Sequence, residues 1–239
     1  MSVGHAEQGS KFPTTLWTMV RSAGLRQTES SKLALSRLCE IYWHPVYSYV
    51  RRRGFAVDDA QDLTQSFFAV LIEKQYLEDA DQTRGRFRSF LLTAVKHFIS
   101  NQLDLQRAQK RGGGHLFLSL DFQAAEEQYR IEPVDRTTPE VLFERKWALT
   151  LLNRTLRRLE VEAESPHFHS LKLFLTGDQD RGAYARAADE LDISEAAVKV
   201  AVHRLRKRYR ETLRAEIRDT VETDSQVDDE IRYLMTLLD

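Results

Sequence analysis

An apolar stripe between residues 87 and 99 constrains the fold more than any other feature of this sequence. Its members recur every three or four residues, so they share one face of an α-helix. They are Phe87, Phe90, Leu91, Ala94, Val95, Phe98 and Ile99. Polar and basic side chains lie off that face, among them Lys96, His97 and Asn101. The spacing predicts an amphipathic helix that ends before the three glycines at 112–114.

Helical spacing continues through most of the remaining chain. A short helix is predicted over residues 14–24 and a longer one over residues 28–54, in which Pro45 is expected to start a new turn or a kink. Another helix begins near Asp58, and its acidic first turn suits the helix dipole. Pro139 is expected to begin a further amphipathic helix. Its predicted apolar face consists of Leu142, Trp147, Leu149, Leu152, Leu156 and Leu159.

The composition is typical of a soluble, charge-rich helical protein. The 239 residues include only 10 Gly and 5 Pro, and 42% are hydrophobic. No stretch approaches the apolar length of a membrane span, so membrane insertion is not expected. The N-terminus lacks the apolar segment of a signal peptide. Because Cys39 is the single cysteine, an internal disulfide and a cysteine-rich zinc site are excluded, and the cytoplasm is the expected location.

Charge is strongly segregated, although the net charge is only −1. Residues 84–111 carry seven Lys and Arg against one acid, and residues 194–218 carry eight against three. Residues 119–144 and 219–239 carry seven acids each, against two arginines and one arginine respectively. Two basic segments on separate helices indicate two surfaces for one polyanion. Two solvated helix faces are the alternative.

Residues 181–218 have the pattern of a helix-turn-helix. A short helix is predicted to end near Leu191, and Ser194 is a good N-cap for the helix that follows. The expected shared interior is Ala188, Leu191, Ile193, Val198, Val202 and Leu205. The outward face of the second helix is lined at i, i+4, i+7 and i+11 by Lys199, His203, Arg206 and Arg210. Such a helix can enter a DNA major groove, and an ordinary basic hairpin of helices is the alternative.

Two parts of the chain resemble bacterial RNA polymerase sigma factors of the extracytoplasmic-function class. The helix-turn-helix resembles the second half of sigma region 4, in the sequence SEAAVKVAVHRLRKRYRETL. Upstream, the region 2.2 helix of that class is similar to DDAQDLTQSFFAVLIEK, and regions 2.3 and 2.4 are similar to FRSFLLTAVKHFISNQL. The modules occur in the family's order within residues 12–218, as in a branch with a long linker.

The resemblance implies an all-α fold with two small helical domains. A region 2 domain at residues 12–111 precedes an acidic linker at 112–138, in which SLDFQ is interpreted as a short extended piece. A region 4 domain then covers 139–218, and residues 219–239 form an acidic C-terminal extension.

A helix is predicted over about residues 226–238 of that extension. Ser225 is expected to cap it, with Asp228 as the reciprocal partner. Its apolar stripe is Val227, Ile231, Leu234, Met235 and Leu238. We expect this helix either to pack on the region 4 domain or also to screen a basic DNA-binding surface or the polymerase-binding face.

Three sets of contact residues follow from the resemblance. The set implied to dock on the clamp coiled coil of RNA polymerase is Asp59, Asp62, Leu63, Gln65 and Phe68. The set implied to melt the −10 promoter element and capture a flipped base is Phe90, His97, Asn101, Arg107, Lys110 and Arg111. The set implied to read the −35 element is Ser194, Glu195, Lys199, His203, Arg204 and Arg206. For the aromatic member of the docking set, Phe68, packing in the core is the alternative. His97 also stands where the class usually has Asn.

The function implied by the resemblance is that of a sigma factor, which binds core RNA polymerase and directs promoter recognition and DNA melting at transcription initiation. Core RNA polymerase and promoter DNA are the expected partners, and an anti-sigma or other regulatory protein is a further candidate. No enzymatic activity, cofactor or metal is expected, because the seven histidines are scattered and no catalytic set is recognisable. The alternative is a stand-alone helix-turn-helix regulator with a helical sensing domain, which would bind duplex DNA without polymerase.

Overall fold

The computed structural model describes residues 15–23, 28–73, 86–108, 120–130, 137–163, 167–175 and 182–238. This part of the chain is all-α, as predicted, and its helices are α1 (Leu16–Ala23), α2 (Glu29–Arg52), α3 (Val57–Glu73), α4 (Phe87–Ala108), α5 (Phe122–Arg130), α6 (Pro139–Glu162), α7 (Phe168–Lys172), α8 (Ala183–Leu191), α9 (Glu195–Arg218) and α10 (Asp224–Leu238). Within those ranges β-pairing is limited to one isolated antiparallel bridge, between Arg86 and Val221.

Local capping signals explain where several of these helices begin. Thr28 accepts a hydrogen bond from the Ser31 backbone N–H, and the Ser31 side chain reciprocates at the cap, which completes a capping box before α2. Thr138 caps α6, in which Pro139 occupies the first turn and has no N–H to leave unsatisfied. At the other end of α2, the chain turns at Gly54 with a φ of 95°, a conformation that strains residues with a Cβ.

Pro45 does not start a new turn, the first of the two outcomes predicted for it. It lies buried inside α2, which runs as one helix from Glu29 to Arg52. Proline removes one backbone hydrogen bond from a helix interior. Packing of α2 against α1, α3, α5 and α6 supplies the burial that outweighs this loss.

The interpretation of SLDFQ as a short extended piece is wrong at Phe122 and Gln123, which are helical. Phe122 begins the helix α5, and the Asp121 carboxylate accepts a hydrogen bond from the Ala124 N–H in its first turn. Phe122 and Ala125 are buried against α2, where the Phe122 ring meets the Tyr47 ring edge-on at 5.3 Å. Residues 122–130 therefore belong to the packed structure rather than to a linker.

Most of the described helices share one large core. It contains the predicted stripe of α4 in full, together with apolar residues of α1, α2, α3 and α5. Helix α6 also enters this core, through Phe143, Trp147 and Leu151. Its register differs from the predicted one, because Leu149 is 40% exposed while Leu151 is buried. A boundary at residue 139 thus does not separate two cores.

A second, smaller cluster holds the helix-turn-helix together. It is formed by α7, α8 and the first half of α9, and its buried members are Leu171, Phe174, Ala183, Ala187, Ala188, Val198 and Val202. Helix α9 links the two clusters, because its last turns place Leu213 and Ile217 in the large core. The helix-turn-helix is thereby joined to the first half of the chain through a continuous helix.

Residues 219–221, just after α9, form backbone hydrogen bonds with the N-terminal half of the chain. The Trp17 N–H donates to the Asp219 carbonyl at 3.1 Å, and the Phe87 N–H donates to the Thr220 carbonyl at 3.0 Å. The Thr15 hydroxyl donates to the Val221 carbonyl. These contacts satisfy the free N–H groups at the starts of α1 and α4 and fix the end of α9 beside them.

The C-terminal helix exists as predicted, but its start differs. It begins at Asp224, and its cap is formed by Thr223 and Gln226, whose side chains bond each other's backbone N–H groups. This is a capping box with Gln in the usual acceptor position, so the expected pair of Ser225 and Asp228 is wrong. Val227 and Leu234 are fully buried in the large core.

Candidate nucleic-acid interface

The turn between α8 and α9 has the geometry that the sequence predicted. Asp192 adopts a left-handed conformation with a φ of 52°, which Asp tolerates better than most residues. The Ile193 N–H then bonds the Ala188 carbonyl at 3.1 Å, and Ser194 caps α9 by accepting from the Ala197 N–H. Val198 and Val202 anchor the helix on α8, so its opposite side faces outward.

The residues implied to read the −35 element all lie at the surface of α9 or its cap. Ser194, Glu195, Lys199, His203, Arg204 and Arg206 are exposed. Lys199 forms an ion pair with Glu195 at 2.6 Å and lies 5.7 Å from the centre of the Tyr184 ring of α8. Its ammonium group is therefore held near the start of α9, on the side next to α8.

Arg206 has a structural contact that the sequence analysis missed. Its Nε and Nη2 both donate to the Phe174 carbonyl, at 3.1 and 2.9 Å. This carbonyl lies just after α7, where helix carbonyls lack intrahelical donors. Arg206 thus fastens α7 to α9, a role that the outward i, i+4 spacing could not reveal.

The basic segment on α9 is divided into two parts by its contacts. The first part, which includes Arg204, Lys207 and Arg210, remains at the exposed surface. In the second part, Arg214 pairs with Asp228 at 2.5 Å and Arg218 pairs with Asp224 at 3.0 Å, both acids being in α10. Within the described residues, no ion pair joins an acid of α10 to the first part. The expected screening of the basic helix is therefore limited to its C-terminal end.

The residues implied to dock on polymerase divide between surface and core. Asp59 and Asp62 are exposed on α3, and Gln65 is half-buried. Leu63 and Phe68 are buried, and Phe68 is fully covered. The structure therefore corrects the contact role of these two apolar side chains to packing. The exposed carboxylates remain the available polar groups of this set.

The residues implied to act at the −10 element are similarly divided. His97 and Asn101 are exposed on α4. Phe90 is buried, with its ring stacked on Trp17 at 5.4 Å between centroids, so in this conformation it cannot stack on a base. The Arg107 side chain, Lys110 and Arg111 lie outside the described part of the chain.

A buried ion cluster joins α4, α6 and α10, and the sequence analysis did not anticipate it. Arg88 is only 6% exposed and donates to both oxygens of Glu230, at 3.2 and 3.0 Å, as well as to Glu144. Its guanidinium lies against the rings of Trp147 and Tyr233. Burial raises the pKa of Tyr233 to about 12, so at neutral pH its hydroxyl donates to Glu144.

Ion pairs of Arg86 and Lys96 further reduce the basic surface expected from residues 84–111. Arg86 pairs with Glu230 at 3.0 Å and with Asp229 at 3.5 Å, and Lys96 pairs with Glu140 at 2.8 Å. These basic side chains are therefore neutralised by acids of α6 and α10. The signal available in the sequence was the charge complementarity between residues 84–111 and the acidic extension.

A second buried carboxylate fixes α5 on α2. Glu126 accepts from Arg51 at 2.9 and 3.0 Å and from the Tyr47 hydroxyl at 2.7 Å. These hydrogen bonds, above all those from Arg51, lower the pKa of Glu126 to about 2. Its contacts are internal, so the cluster stabilises the fold.

The described residues hold neither a cluster of metal-ligating side chains nor a membrane-spanning helix. They contain no group of three His, Cys, Asp or Glu side chains placed to hold a metal ion, and none of their helices is long and apolar enough to span a membrane. The Nε2 atom of His169 lies 3.4 Å from the Oε1 atom of Glu160.

Comparison of the chain with protein-family models, curated proteins and solved structures finds no match.

Proposed function

We propose that this protein is a sigma factor of the extracytoplasmic-function type, which brings core RNA polymerase to promoters. The observation that carries the proposal is the helix-turn-helix, in which α9 is anchored by Val198 and Val202 while its opposite face is exposed and basic. A capped helix of this kind, with cations along its solvent side, can occupy a major groove.

Each surface has a role in this proposal. The first turns of α9, from Ser194 to His203, meet base edges of the −35 element, and Arg204 and nearby cations contact phosphates. Asp59 and Asp62 on α3 provide exposed carboxylates for a basic docking surface on polymerase. His97 and Asn101 on α4 provide exposed polar groups for an unpaired base of the −10 element.

Phe90 can take part in base capture only after a local rearrangement. Its ring is covered by Trp17 of α1, whose backbone is in turn bonded to residue Asp219. Displacing α1 would uncover the ring. In this proposal the described conformation is therefore that of the protein before it engages melted DNA.

The test is reconstitution with core RNA polymerase from the same organism. We expect the protein to co-elute with core polymerase and to direct sequence-selective transcription, including from promoters that are melted beforehand at the −10 region. The proposal is refuted if the protein binds specific duplex DNA with the same affinity in the absence of polymerase and confers no promoter-dependent transcription. That result would identify a stand-alone helix-turn-helix regulator. Both partners are found in the cytoplasm, which is the proposed place of action.

A further inference from the structure

Two apolar side chains, Ala196 and Val200, lie at the N-terminal end of the otherwise polar and basic exposed face of α9, and no sequence pattern assigned them a function. Ala196, Val200, His203 and Lys207 follow one another at i, i+4, i+7 and i+11, and they lie directly opposite the buried Val198 and Val202. Val200 is 50% exposed. A β-branched apolar side chain is thus presented to solvent on the surface that is proposed to face DNA.

Lys199 and Arg206 lie on the flank of this face rather than at its centre. Lys199 is paired with Glu195 of its own helix and lies over the Tyr184 ring of α8, and Arg206 donates to the Phe174 carbonyl. Their contacts draw both side chains toward α8 and α7. The side chains that project farthest from the protein at the start of α9 are therefore Ala196 and Val200.

The surroundings of Val200 favour nucleic acid over an apolar protein partner. Exposed cationic side chains follow it toward the C-terminus of α9: Arg204 lies one turn beyond Val200, and Lys207 and Arg210 lie about two and three turns beyond it. An apolar protein surface would have to desolvate these charges without pairing them. A duplex offers phosphates to the cations and the groove floor to the helix.

Thymine is the base that presents an apolar group in the major groove. Its C5-methyl group projects into the groove, whereas the other edges of the four base pairs present hydrogen-bond donors and acceptors that an apolar side chain would leave unpaired. We infer that Val200 is a specificity-determining residue of the proposed −35 contact and packs on the methyl group of a thymine. This inference depends on the proposed function and adds the base class to it.

The test first requires the preferred −35 sequence, obtained by selecting promoter duplexes from a randomised pool with the holoenzyme formed with core polymerase. Each thymine of the selected element is then replaced by deoxyuridine, which lacks only the methyl group. At one thymine we expect about a three- to fivefold loss of affinity, the effect of leaving one methyl group unburied. Val200→Ala should lose a similar factor on the original promoter and become insensitive to deoxyuridine at that position.

Val141→Ala is the matched control. Val141 is also an exposed valine in a helix, at 43% exposure, but it lies on α6 outside the helix-turn-helix. This variant should keep both the affinity and the deoxyuridine sensitivity of the unaltered chain. Far-UV circular dichroism of both variants should match the unaltered chain, because neither side chain is buried.

Two results would overturn the inference while leaving the proposed function intact. One is a selected −35 element without a preferred thymine. The other is full deoxyuridine sensitivity retained by Val200→Ala. If the holoenzyme selects no sequence at all, the proposed function fails, and the inference fails with it.

Discussion

Glu230→Gln should strongly destabilise the protein, although it only replaces one carboxylate oxygen with an amide nitrogen. The Glu230 side chain is 1% exposed, accepts two hydrogen bonds from Arg88 and forms an ion pair with Arg86 at 3.0 Å. Gln keeps the volume but removes the charge, and one of its two acceptor positions becomes a donor that faces a guanidinium. Among the described residues, Arg88 is then left buried with Glu144 as its remaining charged partner.

The expected cost is about 3 kcal/mol in the free energy of unfolding. Breaking a buried ion pair by removing one partner costs about 3–5 kcal/mol, because the remaining charge stays desolvated. Two features reduce the cost here: Gln still accepts one bond, and Glu144 continues to pair with Arg88. The double variant Arg88→Met with Glu230→Gln should lose less than the sum of the single losses, since no buried guanidinium then remains.

The measurement is urea unfolding followed by far-UV circular dichroism, at neutral pH and fixed salt. Asp228→Asn is the matched control, because Asp228 is another acid of α10 paired with an arginine, but at the surface. We expect no resolvable change for this control. A loss of less than about 1 kcal/mol for Glu230→Gln, or equal losses for the two variants, would show that the buried cluster does not hold α10 in place.

Three further predictions concern other contacts. The Arg51 hydrogen bonds lower the pKa of Glu126 from 4.5 to about 2. The stability that ionised Glu126 contributes to the fold is therefore complete above about pH 4.5 and lost as the pH falls toward 2. Glu126→Gln should abolish this pH dependence, which amounts to about 3 kcal/mol in urea titrations between those limits. Asp62→Arg should weaken co-elution with core polymerase while circular dichroism stays unchanged, and unaltered co-elution would contradict the docking role. Lys199→Ala should reduce promoter affinity by about 1–3 kcal/mol without loss of stability. Arg206→Ala should also lower the free energy of unfolding by about 1 kcal/mol, since it removes the hydrogen bonds to the Phe174 carbonyl. Equal stability of both variants would argue against those bonds.

Features specified by local chemistry could be predicted from the sequence. The α4 stripe, the Ser194 cap and the interior of the helix-turn-helix depend on residues within one or two turns of each other. Their spacing and capping chemistry are sufficient to fix them. The exposed face of α9 follows from the same periodicity.

Features decided by distant contacts could not be predicted in this way. Leu149 and Leu151 are equally apolar, and which of them is buried depends on how α6 packs along α2. Pro45 is retained inside α2 by packing on several sides. The cap of α10 was misassigned because Thr223 with Gln226 and Ser225 with Asp228 have the same spacing, and the path of residues 219–221 decides between them.

The candidate contact residues show the same division. Resemblance and periodicity place Asp62, His97 and His203 at the surface, where the structure also has them. Phe68 and Phe90 are buried instead, because aromatic residues on an amphipathic helix are covered wherever another element packs on that face. Trp17 covers Phe90, and the sequence contains no local sign of that contact.

The continuity of α9 determines how the C-terminal helix can influence the proposed function. The acids of α10 leave the surface around Val200 exposed. They pair instead with Arg214 and Arg218 at the C-terminal end of α9, where Ile217 is buried. Arg88 and Glu230 connect that end to α4, which carries His97 and Asn101. Any effect of α10 on promoter binding therefore acts through the placement of α4 relative to α9 and not by covering the recognition face. Removing the helix outright would uncover the large core, where Val227 and Leu234 are fully buried, so a deletion confounds stability with regulation. Asp228→Asn avoids this problem, because it breaks the contact of α10 with Arg214 at the surface and is expected to leave the stability unchanged.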